Sequence, residues 1–302
     1  MTKPAILGLA VLLYLSAQPK SQSGSSAPSP QTSPIVIDYL SRNVEQKVQL
    51  LSSVAANQST PSAGDVVALA SAASAEENPR LRSAGLNMIA GRVTSVFFQP
   101  TAGALLQAKV DQPHFLDLRN IAVAGLADSD ASVRDNAVFA LVGLDFAEDA
   151  DRSRTSKTPP RLRRDTASLL ATHFDSEPDG RVRARILSAF ISMEDGRIAE
   201  TDAAEPLPAL VRAGLNDPSP SVKQAAASLT RQVPSASDQL VPLLADADPG
   251  VRRSALINTT LRPRIVAKFE AEIRQALALE TNPHVKAAVE AALAAAQTGR
   301  AR

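Results

Sequence analysis

The chain has 302 residues, 44% of them hydrophobic and 21% charged, with no Cys, no Trp, 3 His and 3% aromatic residues. Lacking cysteine, it has no disulfide framework, thiol nucleophile, thiolate zinc site or cysteine-held iron–sulfur cluster. Its 53 alanines, with so few aromatics, disfavour β-sandwiches and barrels and favour an all-helical protein.

From the N-terminus, Lys3 precedes an uncharged apolar stretch, Ala5 to Leu15, followed by Ser16-Ala17-Gln18. This pattern predicts an export signal over residues 1–17 and a periplasmic or secreted product; the apolar run is shorter than a membrane span. No stable membrane insertion is expected once the signal is removed. Residues 18–34 are Ser, Pro and Gln with one charge, which predicts a disordered linker. Removing Lys3 with the signal turns 32 basic against 31 acidic residues into 31 against 31. Neutrality gives no general argument for nucleic acid or for an anionic membrane. The folded body is expected over residues 35–302, opening with a capping helix over 35–57.

Within that body one pattern recurs six times: an acid, any residue, Asn/Asp/Ser, Pro/Ala/Gly, any residue, Val/Leu, Arg/Lys. The copies run Glu76 to Arg82 with anchor Leu81, Asp128 to Arg134 with anchor Val133, and Glu177 to Arg183 with anchor Val182. They continue from Asp217 through Pro220 and Val222 to Lys223, from Asp246 through Pro249 and Val251 to Arg252, and from Glu280 through Pro283 and Val285 to Lys286. Asn78, Asp130, Asp179, Ser219, Asp248 and Asn282 share one position, and all are good helix N-caps. Proline follows four of them, at the first helical position, where its missing N–H has no partner to lose. The acid two residues before the cap lies near the positive end of the helix. The apolar anchor then opens a helical stripe, as in Val133, Ala137, Ala140 and Leu141.

Each capped helix is preceded by another helical segment: 115–127, 160–174, 206–216, 237–245 and 263–279. Spacings between successive apolar anchors are 52, 49, 40, 29 and 34 residues, so the earlier units carry insertions, at 92–114 and 145–161. One helix pair cannot bury its apolar face alone, so the units must stack into a continuous core. The last helix is expected over 285–296.

The Asp-x-x-Pro-x-Val-Arg turn that opens the second helix resembles HEAT repeats, particularly the short form named after phycobilin lyases, over about residues 60–297. The resemblance implies an α-solenoid of about six stacked antiparallel helix pairs, with the second helices lining a concave face. It also implies a protein-binding scaffold without catalytic activity, its partner another protein of the cell envelope. Two alternatives remain open here: an accessory subunit of an enzyme or chromophore-handling complex, and polyanion binding through residues 152–185.

The basic anchors Arg82, Arg134, Arg183, Lys223, Arg252 and Lys286 read best as structural, each pairing with an acidic turn of its own or the neighbouring repeat. Arg161, Arg163, Arg164, Arg181, Arg183 and Arg185 form the candidate partner-binding set. The competing reading of residues 152–164 is an exposed loop neutralised by Asp145, Glu148, Asp149 and Asp151, and the lack of stacking aromatics favours it. Phe97 and Phe98 read as core filling between irregular repeats. The three histidines, His114, His173 and His284, lie in separate units, and none precedes a glutamate as in the iron sites of HEAT-like deoxyhypusine hydroxylases. No catalytic residue, cofactor or metal ligand is expected.

Overall fold

The computed structural model describes residues 33–56, 61–98, 112–156, 162–191 and 206–300, and among these no strand occurs. The helices are α1 (Pro34–Ser41), α2 (Val44–Ala55), α3 (Ala63–Ser74), α4 (Pro79–Phe98), α5 (Phe115–Gly125), α6 (Ala131–Ser156) and α7 (Arg164–Ser176). They continue with α8 (Gly180–Ala189), α9 (Leu207–Leu215), α10 (Pro220–Leu229), α11 (Pro249–Thr260), α12 (Pro263–Lys268), α13 (Glu270–Leu279) and α14 (Pro283–Arg300). The export and linker segments lie outside the described residues, apart from Ser33 and Pro34.

The array is an all-helical α-solenoid. The second helices α4, α6, α8, α10, α11 and α14 pack each on the next, while α3, α5, α7 and α9 pair with the second helix that follows them. One apolar core runs through all of the pairs, from Val36 and Tyr39 to Val289 and Leu293. The six anchors Leu81, Val133, Val182, Val222, Val251 and Val285 are all buried in it. Removing a side chain of that size from water contributes about 1.5–3 kcal/mol.

Where the two helices of a pair cross, the sequence supplies small residues. Gly85 on α4 meets Ala73 on α3, and Gly214 on α9 meets Ala226 on α10. A Cβ added at Gly85 would lie 2.6 Å from the Ala73 Cβ; one at Gly214 would lie 2.8 Å from Ala226 Cβ and Leu187 Cδ1. In both pairs the contact joins the residue three before the turn acid to the residue nine after it. The backbones can therefore approach closely only because no larger side chain stands there.

Several elements differ from the sequence expectation. The capping segment is two helices, because Asn43 starts α2 with a capping box: its side chain accepts from Gln46 N at 3.0 Å and Gln46 Oε1 accepts from Asn43 N at 3.2 Å. In place of a helix over 237–245 stand two 3₁₀ segments, Pro234–Leu240 and Pro242–Ala245. Pro242 has no N–H to donate and its ring would clash with the preceding turn of an α-helix. The segment 263–279 divides at Phe269, whose φ of −122° and ψ of 37° leave the helical region; no proline or glycine marks that break. The 145–161 insertion begins as a continuation of α6 to Ser156 rather than as a loop, and α4 likewise runs on to Phe98. The side chains of Phe97 and Phe98 lie outside the described ones.

Two variants test this packing. Val251→Asp would bury an unpaired charge at a fully buried anchor, with an expected loss of roughly 3 kcal/mol or more. Gly214→Val overpacks the α9–α10 crossing, with an expected loss of roughly 2–3 kcal/mol. Chemical denaturation reads both, and wild-type midpoints would show the stripe and the crossing to be misplaced.

Candidate functional site

Five of the six turns are built on their acids. Asp128, Glu177, Asp217, Asp246 and Glu280 each accept the backbone N–H of the cap residue two positions on, at 2.7–2.9 Å. The caps then hold the first helical turn. Asn78, Asp130, Asp179 and Asn282 accept the N–H two residues on at 2.8–2.9 Å, and Asp248 accepts from Val251 N at 2.9 Å. Ser219 is the exception: its hydroxyl meets Ser221 Oγ at 2.9 Å and caps nothing.

The arginines join these turns into a ladder. Arg82, Arg134, Arg183 and Arg252 each donate Nη1 to two carbonyls of their own turn, at 2.7–3.0 Å. The remaining edge of the guanidinium grips the acid of the next unit: Arg82 on Asp128, Arg134 on Glu177 and Arg183 on Asp217, all bidentate at 2.6–2.9 Å. Lys223 continues the ladder to Asp246 at 2.6 Å. At the last step Arg253 holds Glu280, at 2.8 and 3.0 Å, and Arg252 serves only its own turn. The first rung is Lys47 on α2, 2.6 Å from Glu76 and over the Tyr39 ring. Lys47 and Arg253 lie outside the seven-position pattern, so the repeat did not reveal them.

The electrostatics follow from this geometry. The hydrogen bond from Arg82 holds the Asp128 carboxyl below the usual carboxylate range. For Glu177, Asp217 and Asp246, burial opposes ionisation, but the bonds from Arg134, Arg183 and Lys223 prevail and keep each below that range. Arg253 draws Glu280 down to about 2.

A second cluster secures the long helix α6. Asp145 is fully buried; it accepts Arg163 N at 2.8 Å at the start of α7 and the guanidinium of Arg119 from α5. Arg119 also donates to Thr166 Oγ1 at 2.6 Å. Burial pushes the Asp145 carboxyl up, against the pull of Arg119. Arg163 is paired with Glu148 at 2.9 Å and Asp165 at 3.1 Å. Of the other candidate binding residues, Arg164 opens α7 and Arg161 lies outside the described residues. Arg183 is a ladder residue.

Arg181 and Arg185 belong to a groove of about 460 Å³ on the second-helix face, between α6 and α8. Ser132, Asp135 and Asn136 form one wall, Arg181, Ala184, Arg185 and Ser188 the other, and Ser221 of α10 closes an edge. Arg185 is paired with Asp135 at 3.1 Å and lies over the Phe139 ring. Arg181 is 76% exposed and reaches Asp179 only at 3.5 Å. A further recess of about 370 Å³ is lined by the ladder pair Arg82 and Asp128, with Leu86 and Asn120.

The family model for HEAT repeats associated with sister chromatid cohesion matches residues 209–230, which span most of α9, the Asp217–Lys223 turn and α10. The other five turns repeat that matched unit in sequence pattern, and four of them repeat its bond from acid to cap N–H. Residues 209–230 thus match a HEAT repeat, and the turns on either side are similar to it. No curated protein matches it. Among solved structures it is similar to an engineered protein from the Northeast Structural Genomics Consortium, with 18% identity, covering 78% of this chain and 97% of that one, at a TM-score of 0.48. It is also similar to the archaeal HEAT-like repeats protein from Thermococcus onnurineus NA1, with 14% identity, 85% and 99% coverage and a TM-score of 0.45. A designed armadillo repeat protein matches with 16% identity, 87% and 99% coverage and a TM-score of 0.33.

Within the array the three histidines stand apart. His173 Nε2 lies 2.9 Å from Glu177, His114 Nδ1 lies 3.9 Å from Asp117, and His284 is exposed at the last turn. Among the described residues no cluster of three or more His, Asp or Glu side chains suited to a metal occurs. No described helix is long and apolar enough to cross a membrane.

Two outcomes are expected of the ladder. Arg134→Met strands the buried Glu177 carboxylate and should cost about 3–5 kcal/mol, whereas Lys268→Ala, at an exposed pair with Asp238, should cost less than about 1 kcal/mol. Paired urea titrations compare them; equal losses would remove the ladder from the stability of the array. The pH dependence has a definite sign. Carboxyls depressed in the folded state contribute stability that is complete above the unfolded value, about 4, and lost as pH falls through the folded value. Melting temperature should therefore hold from neutral pH to about 5 and fall steeply between about 4 and 2, with Glu280→Gln starting lower and losing less over that window. Asp145, shifted the opposite way, adds stability as pH falls from its raised folded value to about 4, above the window of the fall.

Proposed function

We propose that this HEAT array is an exported scaffold that binds another protein of the cell envelope through its second-helix face and performs no catalysis itself. The observation that carries this reading is the division of labour among its charges. The ladder engages the acids of the repeat and its cations from Arg82 to Arg252, leaving the variable positions of α4, α6, α8, α10 and α11 to form a surface that differs from unit to unit. Such extended surfaces are the common binding mode of stacked repeats. The apolar stretch Ala5 to Leu15 supports export. Arg163, Arg183 and Arg185 are each bound to a carboxylate, which leaves little of the surplus charge that a polyanion surface would need.

The test is affinity capture with in situ cross-linking in the envelope fraction. A specific partner should be recovered by the wild-type protein, lost on Ser132→Trp with Ser221→Trp, and kept on Asn120→Trp with Val123→Trp on α5. Absence of any specific partner would overturn the scaffold reading, and the reverse pattern of loss would move the binding face. Fractionation with N-terminal mass spectrometry tests export: a cytoplasmic chain beginning at Met1 would remove it.

A further inference from the structure

The groove between α6 and α8 arises from a pattern of side-chain size. The residue just before the apolar anchor is Ser132 on α6, Arg181 on α8 and Ser221 on α10, so small hydroxyl side chains flank a long cationic one on both sides. Ala184 and Ser188 keep the wall of α8 low beyond it.

The charges in this groove are not equivalent. Asp135 is bound by Arg185 Nε and Nη2 at 3.1 and 3.3 Å, and the Phe139 ring backs that guanidinium at 5.6 Å, so this pair is held in place. The Asp179 carboxylate is committed to the start of α8, accepting from Arg181 N at 2.8 Å and Val182 N at 3.4 Å. Arg181 therefore has a preoccupied neighbour, and its two side-chain contacts to it are both 3.5 Å long. A guanidinium carries five N–H donors in a planar fork that fits a carboxylate bidentately. The fork of Arg181 projects into solvent at the mouth of the groove with most of that capacity unused.

We infer that the groove receives an extended polypeptide segment carrying one acidic side chain, whose carboxylate pairs with Arg181. The inference rests on the scaffold reading above and deepens it by naming the chemistry of the partner. Charge complementarity selects an acidic side chain, since Arg185 is held by Asp135 while Arg181, beside an Asp179 carboxylate engaged by the start of α8, keeps its fork open to solvent. Asp135 disfavours a second acid deeper in the groove, so the site fits an isolated carboxylate rather than a run of them. The lining selects an extended chain. A helix docks in a groove by laying an apolar face into it, and most residues lining this groove are polar or charged. An extended strand rises about 3.3 Å per residue and can lie along the cleft.

A random heptapeptide phage library panned against the wild-type protein tests this directly. Enriched peptides should carry an Asp or Glu, and replacing that acid by its amide should weaken binding about tenfold or more. Arg181→Gln alone should weaken it with unaltered melting, and Arg181→Glu with Arg185→Glu, as the stronger change, should weaken it at least as much, whereas Lys268→Glu on the exposed α12 should not. Enrichment of peptides without an acid, equal binding by the Arg181 variants, or no enrichment at all would overturn the inference. The envelope partner separates this result from the wider reading. A partner still held by the Arg181→Glu, Arg185→Glu protein sinks the groove assignment alone, whereas a wild-type protein that captures no partner sinks the scaffold reading.

Discussion

A carboxylate held between two turns organises this protein. From Asp128 onward, each ladder acid accepts a backbone N–H of its own turn and the guanidinium or ammonium of the preceding unit, so it closes one turn and docks another with the same carboxylate. Glu177 is the extreme case, with its side chain fully buried between Arg134, Asp179 N and His173. Burial alone would discourage its charge, and only the complete set of donors makes the ionised form the stable one. The arginine faces the same requirement from the other side, because its Nη1 satisfies two turn carbonyls that end the first helix. Neither member has a substitute within its own repeat, and stacking therefore becomes a condition for satisfying each unit's polar groups as well as its apolar ones.

This arrangement accounts for the balance of charge. When every unit contributes an acid that its predecessor neutralises, part of the near-equality of 32 basic and 31 acidic residues is built into the repeat. It also sorts the helix positions by role. The anchor and the cation after it face inward and vary little from Leu81 to Lys286. The residues beside them face outward and are unlike one another: Ser132, Arg181, Ser221, Gly250 and His284 share one register. Specificity in a stacked array resides in such positions, because changing them disturbs no rung.

Much of this was legible in the sequence. The seven-position pattern located the turns, the caps and the buried anchors, since capping and apolar periodicity are local and each unit repeats them. What remained hidden was of two kinds. Breaks in helices depended on single residues: the Asn43–Gln46 capping box and Pro242 were readable signals that a purely periodic reading passed over, whereas the break at Phe269 has no local mark. Partners outside the repeat were hidden for a different reason. Lys47, Arg253 and the Arg119–Asp145 pair are assembled by tertiary packing across as many as 29 residues, and nothing in their own segments distinguishes them from solvated charges. Small residues at the Gly85–Ala73 and Gly214–Ala226 crossings lie between these cases, since their fixed offsets from the turn acid emerge only once the helices are seen to cross.

The insertions show why such an array tolerates irregular units. Arg82 reaches Asp128 and Lys223 reaches Asp246 at the same 2.6 Å, although 46 residues separate the first pair and 23 the second. Doubling the chain between two joined points costs only about 0.6 kcal/mol of closure entropy. Breaking a buried ion pair costs several times that, about 3–5 kcal/mol. The extra residues need only leave the turns undisturbed, and those described do so largely by lengthening α4 and α6 at their far ends, away from the capped N-termini that carry the rungs. Asp145 then secures the longer of these helices to the start of α7. The ladder thus defines where a unit begins, and the distance to the next unit is left free to vary.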